Sequence, residues 1–260
     1  MHLFVFGLGY TASHLAVALR RDGWTVEGTG SAGTIDFDAA DAALARATHI
    51  LSSVPPAGGA DPVLTTYGPA LAESGAWLGY LSSTGVYGDT GGAWVDETSP
   101  IGSGRRDARS SADLAWQALR PGGVHVFRLP GIYGPGRSAL DRVREGKAQR
   151  VEAPGQVFSR VHVDDIVAGV TAALLRPRPG VYNLADDEPA SGAAVIEAAC
   201  DLLGVPWAPL VQSASLSPAA AAFYSECRRV ANGKMTRDLG IRLRYPDYRS
   251  GLRACLEHLP

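Results

Sequence analysis

Short runs of β-branched and aromatic residues alternate along the chain with longer Ala- and Leu-rich stretches in which apolar side chains return every three to four positions. "HLFVF" at residues 2–6 predicts a buried strand. "ASHLAVALRRDG" at 12–23 sets Leu15 and Leu19 on one helical face beside Ala12 and Ala16, with Gly23 as its stop, and "WTVEGT" at 24–29 returns to strand texture. The opening is therefore a βαβ unit. Further strands are predicted at 33–37, 49–54, 77–82, 124–129 and 180–184, and helices near 137–145, 163–175, 190–203 and 248–258. This alternation predicts an α/β fold with a doubly wound parallel sheet. From about residue 131 the texture turns to Gly, Pro and short pieces, so 1–130 reads as the sheet domain and 131–260 mainly as a small C-terminal lobe. The strand and helix near 158–186 are expected to return to the sheet. A lobe over the carboxyl ends of the strands would form a ligand cleft.

Composition narrows the class of ligand. The chain has 260 residues, 46% hydrophobic and 19% charged, as expected of a globular protein. Its 24 basic and 26 acidic residues give a net charge of -2, which argues against a nucleic-acid partner. The start has neither a basic leader nor a small-residue cleavage site, and no run of about 18 apolar residues occurs, so neither a signal peptide nor a membrane span is expected. Cys200, Cys227 and Cys255 have no metal spacing and read as reduced thiols of a cytoplasmic protein, with no metal site.

The first chemistry-bearing string is "FGLGYTA", a GxGxxA pattern after the first strand. Gly7 allows a tight turn, Gly9 lets a pyrophosphate approach the backbone, and Ala12 packs the helix onto the sheet. Leu8, Tyr10 and Thr11 complete the loop at the helix amino end. The sheet domain is thus read as a Rossmann-type dinucleotide-binding domain. The second strand should end in Asp or Glu to hold the ribose hydroxyl of NAD, but that place falls near Gly30, and Glu27 lies mid-strand. Thr29 and Ser31 offer donors to a 2'-phosphate instead, so NADP is favoured slightly over NAD. Asp38 serves either the adenine amino group or a helix N-cap.

"GLGYTA", "SSTGVYGD", "VDETSP", "FRLPGIYGPG", "VHVDDI" and "YNLADDEP" follow one another along nearly the whole chain. In this order they resemble the extended short-chain dehydrogenase/reductases, the NAD-dependent epimerase/dehydratases. The resemblance implies that Ser83 hydrogen-bonds the reacting oxygen of a small-molecule substrate. It also implies a downstream Tyr as acid or base, with a Lys four positions later that lowers its pKa and holds the nicotinamide ribose. Past "DETSP" the chain reads "IGSGRRDARSSADLAW", with neither residue. Aligning Asp113 with the family's helix puts Arg109 at the Lys place and Arg105 at the Tyr place.

Magnitudes decide what this exchange permits. A Tyr near pKa 10 must come down by roughly three pH units, on the order of 4 kcal/mol, to act as a base near neutrality. An Arg would have to come down by roughly six, about 8 kcal/mol, so it stays charged. Arg105 is therefore not an acid/base group, although it suits a carboxylate or phosphate of the substrate. Either Arg109 keeps the ribose-holding and electrostatic parts of the Lys role, or the two arginines form a solvated helix face. Tyr87 and Tyr133 are the remaining candidates for proton transfer, Tyr87 the better by its distance in sequence from Ser83, although in the family this Tyr is chiefly structural or lines the substrate site.

The later strings add candidates. The resemblance implies that the loop after the strand at 124–129 follows the cofactor with Pro130 and Gly131 and reaches the substrate with Ile132 and Tyr133. His162 either holds the end of its strand or touches the substrate, while Asp164 or Asp165 reads as the helix cap. Arg228, Arg229 and Lys234 either meet a phosphorylated ligand or form a solvated face. Two classes of function remain open: an NAD(P)-dependent oxidoreductase or epimerase/dehydratase acting on a small polar or sugar-derived substrate, and a non-catalytic dinucleotide sensor or interaction protein. Relatives pair through helices beside the active site, which makes a homodimer an expectation.

Overall fold

The computed structural model of the chain describes residues 1–102 and 107–259. Six strands form a parallel sheet: β1 (His2–Phe6), β2 (Thr25–Gly28), β3 (His49–Ser52), β4 (Trp77–Ser83), β5 (Val124–Leu129) and β6 (Gly180–Asn183). Their spatial order is β6-β5-β4-β3-β1-β2. The direction of winding reverses at β1, so the carboxyl ends of β1 and β3 face an open crevice. Leu3 to Phe6 are fully buried because helices cover both faces, which is why the strand reads as unbroken apolar sequence.

On one face, α1 (Tyr10–Arg21) contributes Leu15 and Leu19 to a core shared with Ile166 and Val170. On the other, α2 (Pro62–Glu73) and α3 (Asp107–Leu119) pack Tyr67, Leu71 and Trp116 against Phe4, Phe6 and Tyr80. Asp61 starts α2 by accepting from the Val63 and Leu64 amides, and its other oxygen takes the Trp116 indole N–H at 2.9 Å. One side chain thereby ties the two helices together.

The strand expected at 33–37 does not form. The Thr34 and Ile35 amides both turn back to the Gly28 carbonyl, and Phe37–Ala39 closes a 3-10 turn. Five residues between glycines and aspartates are too few to leave the β2 edge and pair again.

Beyond β5, α4 (Ala139–Arg144), α6 (Gly192–Leu203) and α7 (Tyr248–Leu256) surround a smaller core of Tyr133, Leu140, Ala199 and Leu252. The helix expected at 163–175 is α5 (Val163–Leu175); it and β6 belong to the sheet core. Met235, Leu239 and Ile241 join the same core, so the later chain crosses back over the sheet. No helix among the described residues is long and apolar enough to cross a membrane.

Candidate functional site

The loop between β1 and α1 is held from below by the end of β2. Gly7 has φ +85°, and its amide donates to Thr29 Oγ1 at 3.1 Å. The Leu8 amide donates to the Thr29 carbonyl at 2.6 Å, and the Leu8 side chain is buried in the sheet core. Gly28, Gly30 and Gly33 let these strands of backbone touch. A Cβ on Gly30, whose φ is +99°, would sit 2.9 Å from the Leu8 nitrogen. Gly9 differs: a Cβ there meets nothing within 4 Å, so its outer side is open to a ligand. Ala12 is buried against the sheet, as helix docking requires.

Above this loop lies a cleft of about 480 Å³. Gly9, Tyr10 and Thr11 line one side, and Ser83 and Arg109 the other. Pro130, Gly131 and Ile132 close it from the β5 loop. The structure thus brings together eight of the residues expected from the sequence. Tyr10 is braced by its hydroxyl, which donates to the Pro135 carbonyl at 3.1 Å, and partial burial pushes its pKa up to about 12. Ser83 ends β4, and its Oγ accepts from the Gly85 amide at 3.1 Å, leaving the hydroxyl proton to donate outward. Arg109 sits beside the Tyr80 hydroxyl, whose pKa burial raises to about 12 and Arg109 tempers. Among the described residues, no carboxylate lies within 4 Å of the Arg109 guanidinium.

Other expected residues lie elsewhere. Tyr87 is 1% exposed and lines neither this cleft nor the cavity next to it. Its hydroxyl donates to Asn183 Oδ1 at 2.8 Å and accepts from Arg128 Nη1 at 3.0 Å. Burial raises its pKa, with Arg128 opposing. Arg128 in turn grips Asp113 through two bonds of 2.8 and 3.1 Å, and Asp113 also accepts from Ser82 at 2.6 Å and Gln117 at 2.7 Å. Tyr87 therefore belongs to a buried brace behind the β4 end.

His162 is 1% exposed: Nδ1 accepts from the Asp164 amide at 3.1 Å, capping α5, and burial lowers its pKa to about 4. It is the strand-end holder, and Asp165 accepts from the Arg244 and Tyr245 amides instead of capping the helix. Tyr133 lines a different cavity, of about 400 Å³, on the lobe side. The Thr29 hydroxyl is 97% covered and turned to Gly7, a correction to the expectation that it meets a 2'-phosphate. Ser31 stays exposed beside the loop, donating to the Leu8 carbonyl at 3.3 Å. Asp38 is exposed within the 3-10 turn, whose N-cap is Asp36, and lines no part of the cleft. Arg105 lies outside the described residues.

Sequence reasoning missed Ser53, which lines the cleft and donates to the Gly7 carbonyl, and Arg137, whose guanidinium lies 5.4 Å from the Tyr10 ring centre at the cleft mouth. It also missed a second cavity, of about 220 Å³, that shares Ser83, Pro130 and Gly131 with the cleft and continues into the lobe. Arg228, read from the sequence as either a ligand contact or a solvated cation, lines this cavity.

No known protein-family profile matches the chain. A functionally unknown conserved protein from Silicibacter pomeroyi DSS is 43% identical, with 98% of both chains covered and a TM-score of 0.92. Human epimerase family protein SDR39U1 (isoform 2), solved with NADPH, superposes over 100% of both chains with a TM-score of 0.78 at 19% identity. A 3-diazoavenalumate denitrifying reductase from a Streptomyces species is 32% identical over 154 residues, 55% of this chain and 48% of that protein. The chain thus matches less than half the length of that curated relative. With this sheet, this glycine loop and these likenesses, the chain belongs to one family with the conserved Silicibacter protein and has the extended short-chain dehydrogenase/reductase fold of the NAD-dependent epimerase/dehydratases.

Proposed function

We propose that the chain is a nicotinamide-dinucleotide-dependent oxidoreductase acting on a small polar or anionic substrate. The observation that carries this reading is the single cleft in which the amino end of α1 faces Ser83 and Arg109. Gly9 provides the fit, since the space beside its Cα is open where a pyrophosphate needs contact with the first amides of a helix. When bound, the dinucleotide supplies the hydride donor or acceptor.

The chain's own residues do the rest. The α1 amino end would hold the pyrophosphate, and Pro130 and Gly131 would contact the nicotinamide end of the cofactor. Ser83 donates its hydroxyl proton in a hydrogen bond to the reacting oxygen. Arg109 stays charged and stabilises negative charge on that oxygen or holds the ribose. The proton itself comes from water, because the Tyr87 hydroxyl is enclosed by Asn183 and Arg128. NADP is preferred to NAD because β2 ends at Gly28 without a carboxylate; Glu27 is occupied by His2 at 3.0 Å and Arg46 at 3.3 Å. The NADPH in the human structure of the same fold supports the class of cofactor.

The loss of the Tyr-Lys pair favours a second reading, a dinucleotide-binding protein without turnover. Thermal unfolding with NAD, NADH, NADP and NADPH tests the first step. A ligand at 100 times its Kd adds about 2.7 kcal/mol, or about 5 to 11 °C at 2 to 4 °C per kcal/mol. A shift with NADP and NADPH, followed by NADPH oxidation with a carbonyl compound, supports the enzyme. Tight binding with silence across a carbonyl panel supports the sensor, and no shift with any dinucleotide overturns both.

A further inference from the structure

One wall of the 220 Å³ cavity is built from two distant stretches of chain. Gln156 Nε2 donates to the Tyr224 carbonyl at 3.1 Å and the Glu226 carbonyl at 2.6 Å, and the Val230 amide donates to Ser159 Oγ at 2.9 Å. This stitching stacks Phe158 on Phe223, with centroids 4.4 Å apart and planes 17° apart, and sets Tyr224 edge-on to Phe158 at 5.5 Å. One wall is therefore aromatic. Its volume is below the roughly 300 Å³ at which ordinary small-molecule sites begin, so the cavity by itself has room for a single ring with a short side chain rather than for a whole nucleotide sugar.

The charges lining the cavity are Arg160, Arg228 and Glu226. Arg228 is matched by Glu226, with Nη1 to Oε2 at 3.1 Å. Arg160 is held by carbonyls: Nη1 donates to Phe158 at 2.8 Å and Ala190 at 2.9 Å, and Nη2 to Ser191 at 3.4 Å. Among the described residues no carboxylate lies within 4 Å of Arg160. Asp186, 1% exposed, adjoins it, its amide donating to the Arg160 carbonyl at 2.7 Å. Burial raises its pKa to about 8, with the Arg160 guanidinium opposing. Two cations against one anion leave the described lining with one net positive charge. A buried cation with no carboxylate at ion-pair distance, in a lining of net positive charge, favours an anionic guest, and a planar guanidinium suits a carboxylate.

We infer that this cavity binds a one-ring aromatic carboxylate, its ring against Phe158, Phe223 and Tyr224 and its carboxylate on Arg160. Naming this compound as the substrate class rests on the oxidoreductase reading, because the cavity opens to the cofactor cleft at Ser83; the binding itself does not. The test is calorimetric titration of the full chain, with and without NADP, using cinnamate, cinnamamide and UDP-glucose as probes. Cinnamate is expected to bind at least about 10-fold more tightly than cinnamamide, and Arg160→Gln to remove that difference. Phe223→Ala, at a side chain 45% exposed and so tolerant of change, is expected to weaken both by several-fold. It keeps the test open should Arg160→Gln fail to fold. Equal binding of cinnamate and cinnamamide, or binding of UDP-glucose alone, overturns the inference. Cinnamate binding without any NADP binding upholds it while sinking the oxidoreductase reading, and NADP binding without cinnamate binding does the reverse.

Discussion

Replacing Asp113 by Asn is expected to lower stability sharply, because the Asp113 carboxylate neutralises a guanidinium that is itself only 3% exposed. The carboxylate accepts four bonds, two from Arg128 and one each from Ser82 and Gln117. An Asn amide matches the shape but turns two N–H groups towards donors and leaves Arg128 charged and uncompensated. Removing one partner of a buried pair costs about 3 to 5 kcal/mol. For a chain of this size, at about 2 to 4 °C per kcal/mol, the midpoint should fall by about 6 to 20 °C. Thermal unfolding followed by circular dichroism reads this directly. Asp113→Leu with Arg128→Met removes both charges and should be much less damaging than the two single losses added together. A drop of less than about 1 °C for Asp113→Asn, or simple additivity in the pair, would refute the reasoning.

Gly9→Ala should leave stability within about 0.5 kcal/mol, since the new Cβ meets nothing, yet weaken dinucleotide binding; undiminished binding would place the pyrophosphate elsewhere. Tyr87→Phe strips partners from Asn183 and Arg128 and should cost about 1 to 3 kcal/mol while leaving the pH profile of turnover unchanged, and a changed profile would return Tyr87 to the chemistry. For Asp186 the folded group keeps its proton to about pH 8 whereas the unfolded one releases it near 3.8, so stability falls as pH rises between those values. Asp186→Asn should therefore unfold at a higher temperature than the parent at pH 8 and at nearly the same temperature at pH 4. A gap that is constant with pH would contradict this.

The parts legible in the sequence are those encoded locally. The spacing of Gly7, Gly9 and Ala12 and the 3.6-residue rhythm of α1 belong to one turn and one helix, and they appear where the pattern puts them. Ser83 and Arg109 reach the same cleft because β4 and α3 are neighbouring elements. The strand misread at 33–37 had strand-like residues but no free sheet edge within reach, which residue preference does not record. Tyr87 and His162 were ambiguous because a hydroxyl or imidazole at a strand end faces either ligand or protein, and long-range partners such as Asn183 and Cys255 decide which. The Phe158, Phe223 and Arg160 cavity joins segments that share no period, so no local signal announced it.

The three glycines under the dinucleotide loop also limit how the protein can change. A common way to redirect cofactor preference is to place an acidic side chain at the end of the second strand. Here that position is Gly30, with a φ that side chains rarely adopt and the Leu8 nitrogen 2.9 Å from any Cβ. A Cβ on Gly28 or Gly33 would lie 2.3 Å from a carbonyl oxygen. A single substitution would push the phosphate loop out of shape before it could grip a ribose. Both natural drift and laboratory engineering of cofactor choice would first have to rebuild the backbone from Gly28 to Gly33, which ties any such choice to the loop's architecture.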